Sequence, residues 1–447
     1  MSALFNNRSV PLFLLFLAYV PTQGYFSYQG IFLLSIIILY YLYHIFHPVK
    51  SSIENQRLVS LMCLGLLLFS AITYQGIYRN IDARIMVKII IFGLIGYLFI
   101  SHFIKKKSSS LILILLIYIF TSIFVISNSP EPKIDVYFLL KEAPLALLAG
   151  LDPYALKYTQ IYPGTTNEYG YLPVTLIYLL PFNLITNDPR YGVMFAHLIS
   201  AYLLSRLLKK QSNVNLYVAG FLFMPQTFNI LEFSYLEPII ILFLMLFLYY
   251  YKQKKSIAFL ALGLFFSVKQ NYLIYLPFMT INFLKYKIKP TIIYFLLPLS
   301  IFMGFFFFST SMYRNTMPSF INKVLLPVLP HKYAIQAGDN LTPITKNTRY
   351  PPYFHALSMP AALRRAFSDL DISLINKIGV LLFIVSWILI WFLRLRLFEY
   401  LIMTTLVYNY FFYHSFMNNY YWLSQLIFLS ILFQSCQISF TASRSQQ

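Results

Sequence analysis

The chain has 447 residues, of which 59% are hydrophobic, 19% aromatic and only 11% charged; soluble globular domains carry about 25% charged residues, so an ordinary water-exposed fold is excluded. The formal charge of +20 does not point to nucleic acid, because lysines and arginines fall in short clusters between apolar runs instead of forming one basic face. The two cysteines, Cys63 and Cys436, both lie inside apolar runs, which argues against a disulfide framework and against a thiolate metal site.

Apolar runs of about 17 to 22 residues recur from end to end, each long enough to cross about 30 Å of hydrocarbon as a helix. In chain order they fall near 9–22, 29–46, 58–77, 85–103, 111–127, 190–208, 214–229, 233–251, 256–268, 270–284, 290–309, 376–393, 397–413 and 419–437. The expected fold is an all-α polytopic membrane protein of about 14 spans. The first run lacks a small-residue cleavage site after a short apolar core and reads as a retained helix. With these spans Arg8, Lys50 and Arg57, Lys105 to Lys107, Arg206 with Lys209 and Lys210, Lys252 with Lys254 and Lys255, Lys285 with Lys287 and Lys289, and Arg394 with Arg396 share one side. The positive-inside rule makes that side the cytoplasm. Residues 171–186 are apolar enough to cross, but a crossing there would flip every later basic cluster, so a helix at the outer interface is expected. Lys269-Gln270-Asn271 then sits at an outer hairpin tip; one long tilted helix over 256–284 is the alternative.

This topology leaves two large outer regions, 128–189 and 310–375. Of the fourteen acidic residues, only Glu54 and Glu399 fall on the cytoplasmic side. Acidic residues hardly steer insertion, so their bias points to acid-base or cation-binding work outside. In the first region a helix is expected over 136–149, with Gly150 as its C-cap. Asp135 and Glu142, seven apart, share a face of it, while Tyr137 and Lys141 share a neighbouring one. Asp152-Pro153-Tyr154 reads as a turn.

The pattern Asp135-Val136-Tyr137, Ala149-Gly150-Leu151-Asp152-Pro153-Tyr154, Tyr171-Leu172-Pro173 and Leu180-Pro181 resembles the GT-C superfamily of polyprenyl-phosphate-sugar-dependent glycosyltransferases, in particular its prokaryotic mannosyltransferase-like branch. Gly263-Leu264-Phe265-Phe266-Ser267-Val268-Lys269-Gln270 with Leu276-Pro277 is a second match, and the resemblance covers roughly residues 111–310. Five spans precede the Asp-bearing loop, four more than the one helix that family members usually have there, and a common Tyr-Pro-Pro is here Tyr-Leu-Pro. The resemblance implies a GT-C-like helix bundle with outer juxtamembrane helices, divided into an N-terminal extension (1–110), a catalytic module (111–310) and a C-terminal part (311–447). It implies an outer-loop Asp as catalytic base, a polyprenyl-phosphate-linked sugar donor, and a cell membrane with the active site outside.

Transfer of a sugar to an acceptor hydroxyl needs a base near that hydroxyl and positive charge near the departing phosphate. Asp135 is the expected base, with a helix N-cap as its structural alternative. Glu142 either positions the acceptor or pairs with Lys141 or Lys133. Tyr137, Tyr154 and Tyr171 are candidates for lining the sugar site, or members of an interfacial aromatic belt. Lys269 with Gln270 is expected to reach the donor phosphate at the outer headgroups, unless the lysine only snorkels. In the second outer region His331, Arg349 and His355 are the candidate phosphate clamp, with packing on anionic lipid as the alternative. Glu232 and Glu237 stand near outer span ends, where a carboxylate also favours a helix N-terminus.

No ligand spacing for a metal appears, and there is no glycine-rich phosphate loop or nucleophile constellation. No cofactor or metal is expected, and the partners are the lipid-linked donor, a lipid or glycan acceptor and membrane lipids. The leading reading is an inverting glycosyltransferase for a mannose-like hexose. A transporter or flippase of lipid-linked glycans, and a lipid-linked glycan polymerase or ligase, are the competing ones.

Overall fold

The computed structural model describes residues 9–47, 56–76, 81–104, 110–161, 167–279, 356–367, 372–393, 395–412 and 416–438. Regular structure there is helical, with isolated bridges at Tyr25–Ala356 and Lys157–Glu168 and no strand among the described residues. In chain order the helices are α1 (Val10–Tyr19), α2 (Tyr28–Phe46), α3 (Gln56–Thr73), α4 (Ile81–Phe99) continued by a π turn over Ile100–Ile104, and α5 (Leu111–Ser127). Then come α6 (Asp135–Leu148), α7 (Pro173–Thr186), α8 (Arg190–Leu207), α9 (Val214–Leu222), α10 (Thr227–Glu232), α11 (Glu237–Lys252) and α12 (Ile257–Phe266), followed by a 3-10 turn over Gln270–Tyr275. The C-terminal helices are α13 (Met359–Ala366), α14 (Ile372–Phe392), α15 (Leu397–Phe411) and α16 (Met417–Ser435).

Among the described residues three helices are long and apolar enough to cross a membrane: α2, α3 and the stretch Ile81–His102. In α2 the Ser27 hydroxyl accepts the Gly30 amide at 2.8 Å, capping a 19-residue run that contains no Pro, Asp, Glu, Lys or Arg. Leu34, Ile37 and Tyr40 turn inward, while Phe32, Leu39 and Phe46, spaced by seven, are exposed. A helix apolar on both its inner and outer faces suits lipid better than water. These helices support membrane association.

Helices α8 and α12 flank α11, α1 packs on α2 and α16, α2 on α15, and α3 on α4 and α9. The N-terminal helices thus close against the C-terminal pair. Helix α7 lies on α6 and α8, and Gly192 permits the close approach to α8: a Cβ there would meet Leu179 Cδ2 at 2.7 Å and Phe182 Cδ2 at 3.0 Å. At 14 residues, or about 21 Å, α7 is shorter than the hydrocarbon thickness.

Three expected spans differ from the structure. The run 214–229 is broken, because Pro225 has no amide and its ring would clash with the preceding turn; α9 stops at Leu222, and Gln226 at φ 73° redirects the chain into the six-residue α10. Ser234 at φ 58° breaks the chain again, so the helix expected from 233 starts at Glu237. The run 256–268 forms only the ten-residue α12. Hydropathy reads composition alone and counts the pieces of an interrupted helix as one run.

Candidate functional site

Helix α6 begins with Asp135 itself, and its N-cap is Ile134, in extended backbone with no side-chain cap. A capping carboxylate accepts the amide two or three residues on. Asp135 Oδ1 instead accepts the adjacent Val136 amide at 2.8 Å, so the cap that is the structural alternative for this residue is not built. The side chain is half-buried, and burial pushes its carboxyl above the usual value, against the opposing pull of the Val136 amide.

The segment leading into Asp135 is held from α8. Arg190 is fully buried; its Nε donates to Asp188 Oδ1 at 2.9 Å and its Nη1 to the Ser129 carbonyl at 2.5 Å. The guanidinium lies over the Tyr137 ring, 5.0 Å from the centroid, and the Tyr137 hydroxyl donates to the Pro130 carbonyl at 3.3 Å. Tyr137, a candidate for lining the sugar site, thus braces the loop beneath Arg190. Lys141 also lies over its ring, at 5.8 Å.

Past α6 the chain turns as its residues dictate. Gly150 at φ 74° and the bonds Leu151 N–H to Ala146 O and Gly150 N–H to Leu147 O close a Schellman cap. Asp152 Oδ1 accepts the Tyr154 amide at 2.9 Å, as an Asx turn requires. Glu142 receives the Thr159 amide at 3.1 Å and the Thr159 hydroxyl, so it fastens the loop between α6 and α7 to α6. Neither expected lysine is that partner. Tyr154 is buried and donates to the Tyr171 carbonyl at 3.0 Å, positioning Tyr171 at the entry of α7.

The first turn of α7 then meets the end of α12. The Leu172 amide and the Thr175 hydroxyl both reach the Val268 carbonyl, at 3.2 and 2.9 Å. The next residue is Lys269. It is buried, with Nζ 3.0 Å from Glu237 Oε1. Asn418 Nδ2 donates to the same oxygen at 2.9 Å and the Tyr272 hydroxyl at 3.5 Å. The short link between α11 and α12 makes them antiparallel, which brings the start of one beside the end of the other. Glu237 Oε2 and Gln270 Oε1 are buried without a hydrogen bond from any described residue. An unsatisfied buried acceptor costs about 1–3 kcal/mol, more when charged.

The two regions converge on Tyr235, in the turn before α11: Asp135, Tyr171 and Glu237, with Tyr25 from the N-terminal part, all lie close enough to act electrostatically on its phenol. Deeper in, His197 on α8 is fully buried between two phenols, with Nδ1 2.8 Å from the Tyr118 hydroxyl and Nε2 3.0 Å from that of Tyr421. Thr227 and Gln425 complete the shell of Tyr421, at 3.1 and 2.8 Å. The sequence reading missed Arg190, Asp188, Tyr235, Asn418 and His197. The only signal each gave was a polar residue in or beside an apolar run.

Of the candidate residues, the structure brings Asp135, Tyr171 and Glu237 within electrostatic reach of the Tyr235 phenol, pairs Lys269 with Glu237, and turns Tyr137, Tyr154 and Glu142 to holding the segments on either side of α6. His331, Arg349 and His355 lie outside the described residues. Among the described residues no group of three or more His, Cys, Asp or Glu is placed to hold a metal. No family model, curated protein or solved structure matches the chain.

Proposed function

We propose that this protein is a multi-pass membrane glycosyltransferase of GT-C type, with about 14 spans, which moves a mannose-like hexose from a polyprenyl-phosphate donor to a lipid or glycan acceptor on the outer face of a prokaryotic cell membrane. The observation that carries the reading is Asp135: a half-buried carboxylate at a helix start that does not cap its helix, with its carboxyl held above the usual value. A base is effective when its proton affinity approaches the working pH. Burial moves Asp135 in that direction.

In the mechanism Asp135 takes the proton of the acceptor hydroxyl as that oxygen attacks the anomeric carbon. The bond from that carbon to the phosphate oxygen breaks, and the polyprenyl phosphate leaves with the bonding electrons. Attack opposite the leaving group inverts the anomeric centre. Arg190, Tyr137 and Glu142 hold the helix and loop that carry the base. Lys269 is already paired with Glu237, so its positive charge is partly neutralised before any phosphate arrives. His331, Arg349 and His355 are the remaining candidates for the phosphate.

Incubating the purified protein with radiolabelled polyprenyl-phosphate hexoses and membrane lipid acceptors tests the reading. Labelled product supports it, and no product from any donor with folded protein refutes it. The second reading, a transporter or flippase of lipid-linked glycans, draws support from the interrupted run α9–α10–α11, whose breaks at Gln226 and Ser234 lie among buried polar residues. Translocation of a lipid-linked glycan across sealed vesicles without sugar transfer would favour it.

A further inference from the structure

The ion pair before α11 leaves one carboxylate oxygen over. Lys269, Asn418 and Tyr272 all address Glu237 Oε1, whereas Oε2 is buried and receives no hydrogen bond from a described residue. Glu237 as a whole is 0% exposed. Buried acceptors in native proteins nearly always have a donor, so Oε2 calls for one that the described chain does not supply. The chemistry of that donor is constrained. An anion is repelled by the carboxylate, and the cationic position beside it is already filled by Lys269 at 3.0 Å. A neutral hydroxyl fits, through a charge-assisted O–H···O⁻ bond.

The position of Glu237 says whose hydroxyl it is. Two bonds from Leu172 and Thr175 to Val268 put the outer helix α7 directly against the residue preceding Lys269, and Asp135 opens the outer helix packed on α7. Asp135 is half-buried, which leaves it accessible to an incoming acceptor, while Glu237 is enclosed and fixed by three donors. We propose that Glu237 Oε2 accepts a ring hydroxyl of the donor's hexose, so that Glu237 selects the sugar while Asp135 serves the acceptor. This proposal rests on the glycosyltransferase reading.

The test compares kcat/KM of the full-length protein, in lipid nanodiscs, for a polyprenyl-phosphate hexose and for its monodeoxy analogues, each lacking one hydroxyl. The wild-type protein should disfavour one analogue by about 10- to 100-fold, the range of a hydrogen bond to a charged group. In Glu237→Gln the amide keeps its carbonyl for Lys269 and turns an NH2 toward the hydroxyl; that selectivity should shrink to within about threefold, mostly through slower use of the native sugar. Glu237→Asp, which keeps the charge on Lys269 and withdraws the carboxylate by one methylene, should lose the same selectivity and serves if the Gln variant does not fold. Equal slowing of the native and every deoxy sugar, leaving selectivity unchanged, would overturn the proposal while the transferase reading stands. Absence of product from the wild-type protein with every donor would instead overturn the transferase reading, and with it the premise of the assignment.

Discussion

The Thr175 hydroxyl donates to the Val268 carbonyl at 2.9 Å across 93 residues of sequence. The bond joins the first turn of α7 to the residue preceding Lys269 of the Lys269–Glu237 pair. Because the Leu172 amide uses the same carbonyl, α7 and Lys269 are held in one register. Helix α7 and the buried pair are therefore fixed relative to one another.

Replacing Asp135 by Asn preserves size and the bond from the Val136 amide but removes the proton acceptor. Transfer should fall about a hundredfold or more, with donor and acceptor binding retained. If Asp135 only shaped the helix start, Asn would serve as well, and turnover near the wild-type rate in folded protein would eliminate it as the base.

The pH dependence follows from the direction of the Asp135 shift. Burial raises its carboxyl in the folded protein, so the acid limb of kcat/KM should lie above the ordinary Asp value of about 3.9. The sign for stability is opposite to that of an ion-paired Asp. The folded state keeps a proton that the unfolded chain has released, so this group's contribution is present at low pH and is lost as pH rises from the unfolded to the folded value. Asp135→Asn should therefore raise the thermal midpoint at neutral pH relative to wild type, and leave it nearly unchanged below both values.

Arg190 is enclosed with Asp188 and two loop carbonyls. Arg190→Met should destabilise by about 3–5 kcal/mol, because it strands the Asp188 carboxylate, and the loss is read from thermal unfolding in detergent. Arg190→Lys should recover little, since an ammonium cannot fork to Asp188 and Ser129 together. A double-mutant cycle with Asp188→Asn should show strong coupling between the two sites.

Sidedness can be tested with single cysteines, because the native Cys63 and Cys436 are both buried. Lys209 and Lys157 are exposed. An impermeant maleimide applied to intact cells should label Lys157→Cys and spare Lys209→Cys until the membrane is opened. Labelling of both from outside would remove the topology on which the outer-face site depends.

Most of the helical layout was legible because a long apolar run leaves few alternatives to a helix. The runs at 29–46, 111–127 and 190–208 correspond closely to α2, α5 and α8. The cap at Gly150 and the turn at Asp152 were readable too, since both depend on local chemistry. The interruption at Pro225 was missed, as one proline inside a strongly apolar window hardly alters its mean hydropathy. Partnerships were the least legible: Glu142 pairs with Thr159, 17 residues on, and Asn418 with Glu237, 181 away. Side-chain pairs of that kind are set by tertiary packing and leave no periodic trace.

On the multi-pass reading, the buried pair also bears on how the chain enters the bilayer. Glu237 begins α11 and Lys269 follows α12, so both charges must be carried through the hydrocarbon during synthesis. A lone charge at midplane costs about 2.5–3.5 kcal/mol on insertion scales, whereas an α11–α12 hairpin that moves as one unit presents a nearly neutral pair. Lys269→Leu alone should therefore lower the yield of inserted protein, and adding Glu237→Leu should restore it, even though the restored chain has lost the carboxylate assigned here to the sugar. Biogenesis then needs only that the two charges match, whereas the proposed sugar selection needs the carboxylate itself.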